Sequence, residues 1–324
     1  MVVYSNLPQL VERDLKRIHL APPISISNVS DPCQDVPEVK DTVRKLVRLI
    51  LSYKVPFFIT SKGDPRFLLE IDGFSEYEFK FVAITIEGTD DILSLLSPGA
   101  PPFKKRLEAL SELSNKGVNT LVRLDPLFYH LFYALYGKAY FKKLEGLVRS
   151  FAQAGAKHIV SSTGRLSRRR PIEGRESSWE RMLKVVRRFS PSAARMMERE
   201  YAFERRWGGS GLFLKEEIRL KLHTALRELA ESYGMTYAVC QELGTEADSV
   251  GIAHCERFVL PFVAKKPDGT FAPIPSCTAT CHLTCKDKKM PPCGQPQLAS
   301  PSPFKLSYLR RPVKLHLPFF PAAN

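Results

Sequence analysis

The sequence lacks any long apolar run, and none of its segments approaches the roughly 18 consecutive apolar residues of a membrane helix. Its first 20 residues include Glu12, Asp14, Lys16 and Arg17, so they also lack the apolar core of a signal peptide. These two absences predict a cytosolic chain with no membrane partner.

Acidic residues are few compared with basic ones: 34 Asp and Glu stand against 48 Lys and Arg, a formal net charge of +14. A basic chain is typical of proteins that bind nucleic acid or phosphorylated substrates, although many basic proteins bind neither. Five arginines crowd the loop from Arg165 to Arg175, and guanidinium groups match phosphate geometry. A solvated loop is the alternative, because no aromatic residue for base stacking lies within it.

The seven cysteines favour metal or redox roles over a disulfide framework if the chain is intracellular. Four lie within CTATCHLTCKDKKMPPC, whose spacing is not the paired C-x2-C of zinc ribbons. So polar a stretch needs a crosslink to be ordered. We predict a zinc or iron–sulfur site here, with disulfides and free thiols as alternatives. The candidate ligands are Cys277, Cys281, Cys285 and Cys293, with Cys240 or Cys255 as a replacement for one of them.

Apolar runs that alternate with helical patterns predict parallel strands covered on both faces. Such βα repeats favour an open or closed barrel of parallel strands. The predicted strands span residues 24–27, 55–60, 80–86, 118–124, 157–161 and 235–240.

Other segments complete the predicted organisation. The chain is expected to open on a helix that starts at Leu7, and a helical extension is expected over residues 164–234, with helices at 178–189, 193–207 and 215–233. Beyond Phe262 the chain is rich in Pro, Cys and Lys and shows neither strand nor helix periodicity. The predicted fold class is therefore α/β: a partial TIM-type parallel (β/α) barrel over residues 1–262, with a cysteine-rich tail or small metal-binding module over 263–324.

The sequences at the predicted strand ends resemble those of radical SAM proteins related to spore photoproduct lyase, also called DNA repair photolyase-like. The resemblance runs from about Leu7 to Arg165 and more loosely to Cys255. It implies a partial (β/α)6 barrel that holds S-adenosylmethionine against a [4Fe-4S] cluster, which reduces the sulfonium to release a 5′-deoxyadenosyl radical. The matching segments are Asn28–Pro32, Thr60–Lys62, Ile84–Ile86, Leu96–Pro101 and Val122–Pro126.

The chain departs from this family where the cluster should bind. The family's C-x3-C-x2-C loop lies after the first barrel strand, and here both that strand and the loop are missing. Either the true start lies upstream, or the barrel has lost its catalytic cluster. Cys33 is the only cysteine near the expected position, so we expect no reductive cleavage of S-adenosylmethionine by this chain. We also expect the strand at Ile24–Asn28 to form an exposed sheet edge.

The resemblance also implies site residues. Ser30 and Asp31 correspond to positions that contact the amino group of S-adenosylmethionine, and Lys62 to a position that can meet its carboxylate. Each has a structural alternative, because Asp31-Pro32 also suits a turn and Lys62 can simply be solvated.

Glu87, Arg123 and Asp125 stand at the ends of buried strands, where they face the cofactor cavity or form structural ion pairs. The leading hypothesis is a radical SAM enzyme, lyase-like if the cluster segment exists, that acts on nucleic acid or another substrate. The alternatives are a non-catalytic binding protein and a metal-carrying module.

Overall fold

The computed structural model describes residues 3–26, 30–172, 174–206, 209–299 and 305–312. Within these residues the fold is mixed α/β. The strands are β1 (Leu20–Ala21), β2 (Ile24–Ile26), β3 (Phe57–Ser61), β4 (Lys80–Thr85), β5 (Thr120–Leu124), β6 (His158–Ser161), β7 (Tyr201–Arg206), β8 (Gly209–Leu214), β9 (Thr236–Val239), β10 (Val263–Lys265) and β11 (Phe271–Pro273).

The α-helices connect these strands. They are α1 (Leu7–Arg17), α2 (Pro37–Tyr53), α3 (Asp90–Leu96), α4 (Phe103–Asn115), α5 (Tyr129–Tyr136), α6 (Tyr140–Gln153), α7 (Ser178–Phe189), α8 (Pro191–Glu200), α9 (Glu216–Ser232), α10 (Cys281–Thr284) and α11 (Leu306–Leu309). Short 3-10 helices span Pro65–Glu70, Gly137–Ala139 and Pro296–Ala299.

A six-stranded parallel sheet with the order β2-β3-β4-β5-β6-β9 is the central feature of the fold. All six strands predicted from the apolar runs are present. The prediction of an edge at β2 is also confirmed, since β2 ends the sheet order, although Asn28 lies outside the described residues. Closure of this sheet into a barrel stays a prediction.

The strand sequences explain why this sheet is buried. All six residues of β4 are buried, as are the four of β6, which fits strands covered on both faces. His158 is the polar exception in β6, and its ring contacts the Thr236 hydroxyl at 2.8 Å and the Cys255 carbonyl at 2.7 Å. Burial lowers its pKa to about 4. The interpretation of His158 as a hydrogen-bonded core histidine is confirmed.

The chain divides into two compact units. Unit 1 comprises residues 1–82, 116–119 and 258–324, and unit 2 comprises residues 83–115 and 120–257. The predicted division at residue 262 stays a prediction.

Unit 1 contains a small antiparallel sheet that the sequence patterns missed. In this sheet, of order β1-β10-β11, Leu20 pairs with Ala264 and Lys265 pairs with Phe271. The prediction that no strand follows Phe262 is therefore wrong. Both strands have only three residues, too few to show a periodicity, and they form because β1 supplies a partner.

Unit 2 contains the predicted extension, whose first part, residues 164–215, we call the basic insertion. Helix α7 is found as predicted. The helix predicted over residues 193–207 is wrong beyond Glu200, because Tyr201–Arg206 forms a strand paired antiparallel with Gly209–Leu214. Tyr201 is buried and Phe203 is exposed, the alternation of a strand. Trp207 lies outside the described residues.

Among the described helices, none has both the length and the apolar character needed to span a bilayer.

Candidate functional site

The loop after β2 is held by the carboxylate of Asp31. Its Oδ1 accepts hydrogen bonds from the Cys33 backbone N–H at 2.8 Å and the Ser61 hydroxyl at 2.7 Å, and its Oδ2 accepts one from the Lys62 backbone N–H at 2.6 Å. A carboxylate offers about four acceptor positions, so about one remains for a ligand. Asp31 thus joins the loops that follow β2 and β3 within unit 1, and it keeps capacity for a single cationic group.

Gly63 permits the close approach of these two loops. A Cβ atom at this position would lie 2.1 Å from the backbone oxygen of Cys33, which is far inside van der Waals contact. The Gly63 N–H also donates to the Ser61 hydroxyl at 2.8 Å. The glycine is therefore required by space.

The other two residues predicted to bind the amino-acid part of a cofactor lie beside Asp31 in sequence or space. Ser30 is exposed and Lys62 is half-buried, so both are accessible from solvent. The structure brings the backbone of Lys62 to Asp31, as the strand-end pattern predicted.

A second polar group lies after β5 in unit 2 and centres on Arg123. Its guanidinium donates to Asp125 at 2.6 Å and to Glu256 at 2.6 Å, and it contacts the Cys240 sulfur at 3.6 Å. The Ser162 hydroxyl donates to the other oxygen of Asp125. Arg123 and Asp125 are thus paired with each other, which is the structural alternative, and contact of either with a cofactor stays a prediction.

Two cysteines adjoin this group. Cys240 follows β9, and a hydrogen bond from the Cys255 thiol together with the Arg123 charge lowers the Cys240 pKa. The same hydrogen bond, with burial, raises the pKa of Cys255. Cys240 is therefore the thiolate of the pair, and Cys255 is the donor.

We predict that Cys240 reacts with iodoacetamide at a lower pH than an ordinary cysteine, whose pKa is about 8.5. A lowered pKa means that the thiolate is already present below that pH. Replacing Cys255 with alanine removes the donor, so the midpoint of the reaction should move to higher pH. Peptide mapping by mass spectrometry after alkylation over a pH series measures this. Cys33→Ala is the matched control and should leave the Cys240 profile unchanged, whereas an unchanged profile in Cys255→Ala would refute the assignment.

Glu87 has a different environment from the one predicted for a cofactor ligand. Its carboxylate accepts a hydrogen bond from Arg106 of α4 at 2.8 Å, and both side chains are fully buried. Arg106 also donates to the Thr85 carbonyl at 2.7 Å, the Pro101 carbonyl at 2.8 Å and the Ser97 hydroxyl at 2.9 Å. The ion pair ties the loops after β4 to α4, and a role for Glu87 in cofactor binding stays a prediction.

Sequence reasoning missed Arg106 and Glu256. Arg106 lies on the buried face of α4, four residues before Leu110 and seven before Leu113. A charge on that apolar face was a usable signal for a buried partner. Glu256 gave no such signal, because it lies in a loop that only the fold brings to β5.

The described residues do not fit a radical SAM cluster as they stand. Among them, no group of three His, Cys, Asp or Glu side chains is positioned to hold a metal ion. Cys33 in the β2 loop is buried, and burial raises the pKa of its thiol well above the usual value, which disfavours a thiolate ligand. We derive no reaction step through an iron–sulfur cluster for this chain.

The cysteines of the C-terminal segment do lie together. Cys277, Cys281, Cys285 and Cys293 line one small cavity in unit 1. Cys240 and Cys255, the predicted replacements, are not among its lining residues.

The basic insertion holds much of the positive charge. It has 14 of the 48 Lys and Arg residues but 6 of the 34 Asp and Glu residues, a formal net charge of +8 out of +14. Two aromatic side chains, Phe189 at 41% and Phe203 at 65%, are exposed within it. The exposed cations are Arg165, Arg168, Arg169, Arg170, Arg175, Arg181, Lys184, Arg187, Arg188, Arg195, Arg199, Arg205 and Lys215.

These features define a class. Parallel α/β sheets bind ligands at the carboxyl ends of their strands, and here charged or hydrogen-bonding groups follow β2, β3, β4 and β5. The fold and the position of these groups are those of an α/β ligand-binding protein or enzyme.

The comparisons with known proteins narrow this class. No protein-family model matches the chain. The chain is 21% identical over 287 residues to a protein of Pseudomonas phage M6 named radical SAM Nα-GlyT isomerase, an alignment that covers 83% of this chain and 56% of that protein. The chain thus spans little more than half the length of the curated relative it matches. The similarity supports the radical SAM superfamily and a radical SAM-like function, which implies S-adenosylmethionine and an iron–sulfur cluster.

Proposed function

We propose that this chain carries the S-adenosylmethionine-binding part of a radical SAM enzyme. The observation that carries the proposal is the Asp31 carboxylate, which is fixed by three protein hydrogen bonds and retains about one acceptor position for an ammonium group. Ser30 and Lys62 supply an accessible hydroxyl and a cation beside it, the groups that suit an amino-acid ligand. Radical chemistry would come from the cluster when bound, and the chain's own residues would orient the cofactor.

Calorimetric titration with two ligands tests this proposal. S-adenosylmethionine has the amino-acid group, and 5′-methylthioadenosine lacks it. Asp31→Asn should weaken S-adenosylmethionine binding about tenfold, a loss of about 1.4 kcal/mol, because the carboxylate charge is removed. The same substitution should leave 5′-methylthioadenosine binding nearly unchanged.

The control for this titration is Asp35→Asn, because the Asp35 side chain is 99% exposed and pairs only with Lys40 among the contacts described. It should bind both ligands like the unmodified chain. Equal weakening of both ligands by Asp31→Asn would indicate a purely structural role for Asp31. Failure of the unmodified chain to bind S-adenosylmethionine would contradict the proposal itself.

The activity of the whole protein is a further part of the proposal. The phage relative is named an isomerase, and a radical rearrangement of this kind is our candidate reaction. A spore photoproduct lyase-like reaction is the alternative drawn from the strand-end resemblance.

Nucleic acid is the proposed partner, and the charge of the basic insertion supports it. Twelve of its 14 cations are arginines, the side chain that pairs with phosphate in a bidentate manner. Several are engaged by acidic neighbours, as in the Arg170–Glu180, Lys184–Glu176 and Arg187–Glu198 pairs, but all three pairs are largely exposed. Exposed pairs are weak, so a polyanion can displace them. The exposed Phe203 adds an aromatic surface for a base.

A further inference from the structure

The interior of the segment from residue 275 to 299 is built from cysteines instead of apolar side chains. Met290 is 66% exposed. Within the described part of this segment, no aromatic or large aliphatic side chain is buried. The buried residues are Thr280, Pro291, Cys293, Gln295 and Ala299. Such a set cannot supply the burial energy that orders a chain.

The four cysteines meet where a core would otherwise lie. Cys277, Cys281, Cys285 and Cys293 all line one cavity, together with Thr280 and Thr284. The cavity has a volume of about 10 Å³, close to the space that a single water molecule occupies. This is room for one ion, not for a four-iron cluster.

The electrostatics of this cavity also call for a cation. Burial raises the pKa of Cys281 to about 12, and the neighbouring Cys277, Cys293 and Cys285 contribute to that rise. The thiols therefore oppose each other's ionisation, and a bound cation would reverse this. Lys286, Lys288 and Lys289 are exposed in the connecting loop and offset part of the thiolate charge.

We propose that Cys277, Cys281, Cys285 and Cys293 form a tetrathiolate site for one zinc ion that orders this segment. Four thiolates and a single ion-sized space match the structural zinc sites of proteins. No three such ligands in the described chain are already in metal-binding positions, so binding must draw the thiols together, as happens when metal binding and folding are coupled. The site is independent of the S-adenosylmethionine proposal.

Metal analysis of the anaerobically purified chain tests the site. We expect about one zinc per chain, and its loss in Cys281→Ser and in Cys293→Ser. Cys33→Ser and Cys240→Ser are the matched controls and should keep the zinc. Retention of zinc in either tail variant, or absence of bound metal from the unmodified chain, would overturn the proposal.

A titration of the unmodified chain keeps the test valid if the serine variants fail to fold. An organomercurial reagent added stepwise should release the zinc as about four thiols react, because each mercurial removes one thiolate ligand. Release of zinc with no accompanying thiol reaction would contradict tetrathiolate binding. An iron–sulfur absorption band that disappears in the same two variants would overturn the assignment to zinc.

Discussion

Arg106→Ala is expected to lower the free energy of unfolding by about 3–5 kcal/mol, the usual result of breaking a buried ion pair. Glu87 and Arg106 are both fully buried, so the variant leaves the carboxylate in a low-dielectric interior without the cation it contacts. The substitution also removes the donor from the carbonyls of Thr85 and Pro101. Since whole domains are stable by only about 5–15 kcal/mol, this loss is large.

Urea unfolding of unit 2 followed by tryptophan fluorescence or circular dichroism measures the effect. Lys105→Ala is the matched control, because it removes the neighbouring Lys105–Glu108 pair, whose side chains are 55% and 36% exposed. It should change stability by less than about 1 kcal/mol.

A double-mutant cycle separates the ion pair from the other contacts of Arg106. The variant with both Glu87→Leu and Arg106→Leu should lose less stability than the two single variants together, because it leaves no buried charge. Additive losses would show that Glu87 and Arg106 do not stabilise each other.

Removing three arginines from the basic insertion is expected to weaken duplex DNA binding by roughly 100-fold, at about 1 kcal/mol for each arginine–phosphate hydrogen bond. The variant is Arg169→Ala, Arg175→Ala and Arg181→Ala, and all three side chains are exposed. The slope of log affinity against log salt should also fall by about 0.9 for each phosphate that the variant no longer neutralises. Fluorescence anisotropy at several salt concentrations measures both quantities.

The control removes an equal charge outside the insertion. Arg48→Ala, Lys104→Ala and Arg149→Ala replace three exposed cations on α2, α4 and α6. This triple variant should keep nearly the full affinity and slope. If both triple variants weaken DNA binding equally, the insertion is not the interface. If the insertion variant is impaired only in binding to anionic phospholipid vesicles, a membrane surface and not nucleic acid is its partner.

The six strands of the parallel sheet could be predicted because a strand buried on both faces must be apolar at nearly every position. The runs around β4 and β6 therefore stood out from the amphipathic helices between them. The same local logic located α7 and α9 through their apolar spacing and end signals. The loop after β2 was also predictable, because Asp31 before a proline is a turn former whose side chain binds nearby N–H groups.

Other features depended on partners distant in sequence. Strands β10 and β11 form because β1, about 240 residues earlier, pairs with β10, and no local pattern contains that partner. Residues 201–206 have a helical pattern in sequence but form a strand, because Gly209–Leu214 offers an antiparallel neighbour. Tertiary pairing overrides a weak local preference when it satisfies the backbone hydrogen bonds.

The roles of the charged residues were also decided by tertiary structure. Position at a strand end predicted that Glu87 and Arg123 would need a counter-charge, because an isolated buried charge is too costly. It could not say that Arg106 on α4 and Glu256 in a remote loop supply it. Residue types and spacing determine which groups must be neutralised, but only the folded chain determines which partner lies within reach.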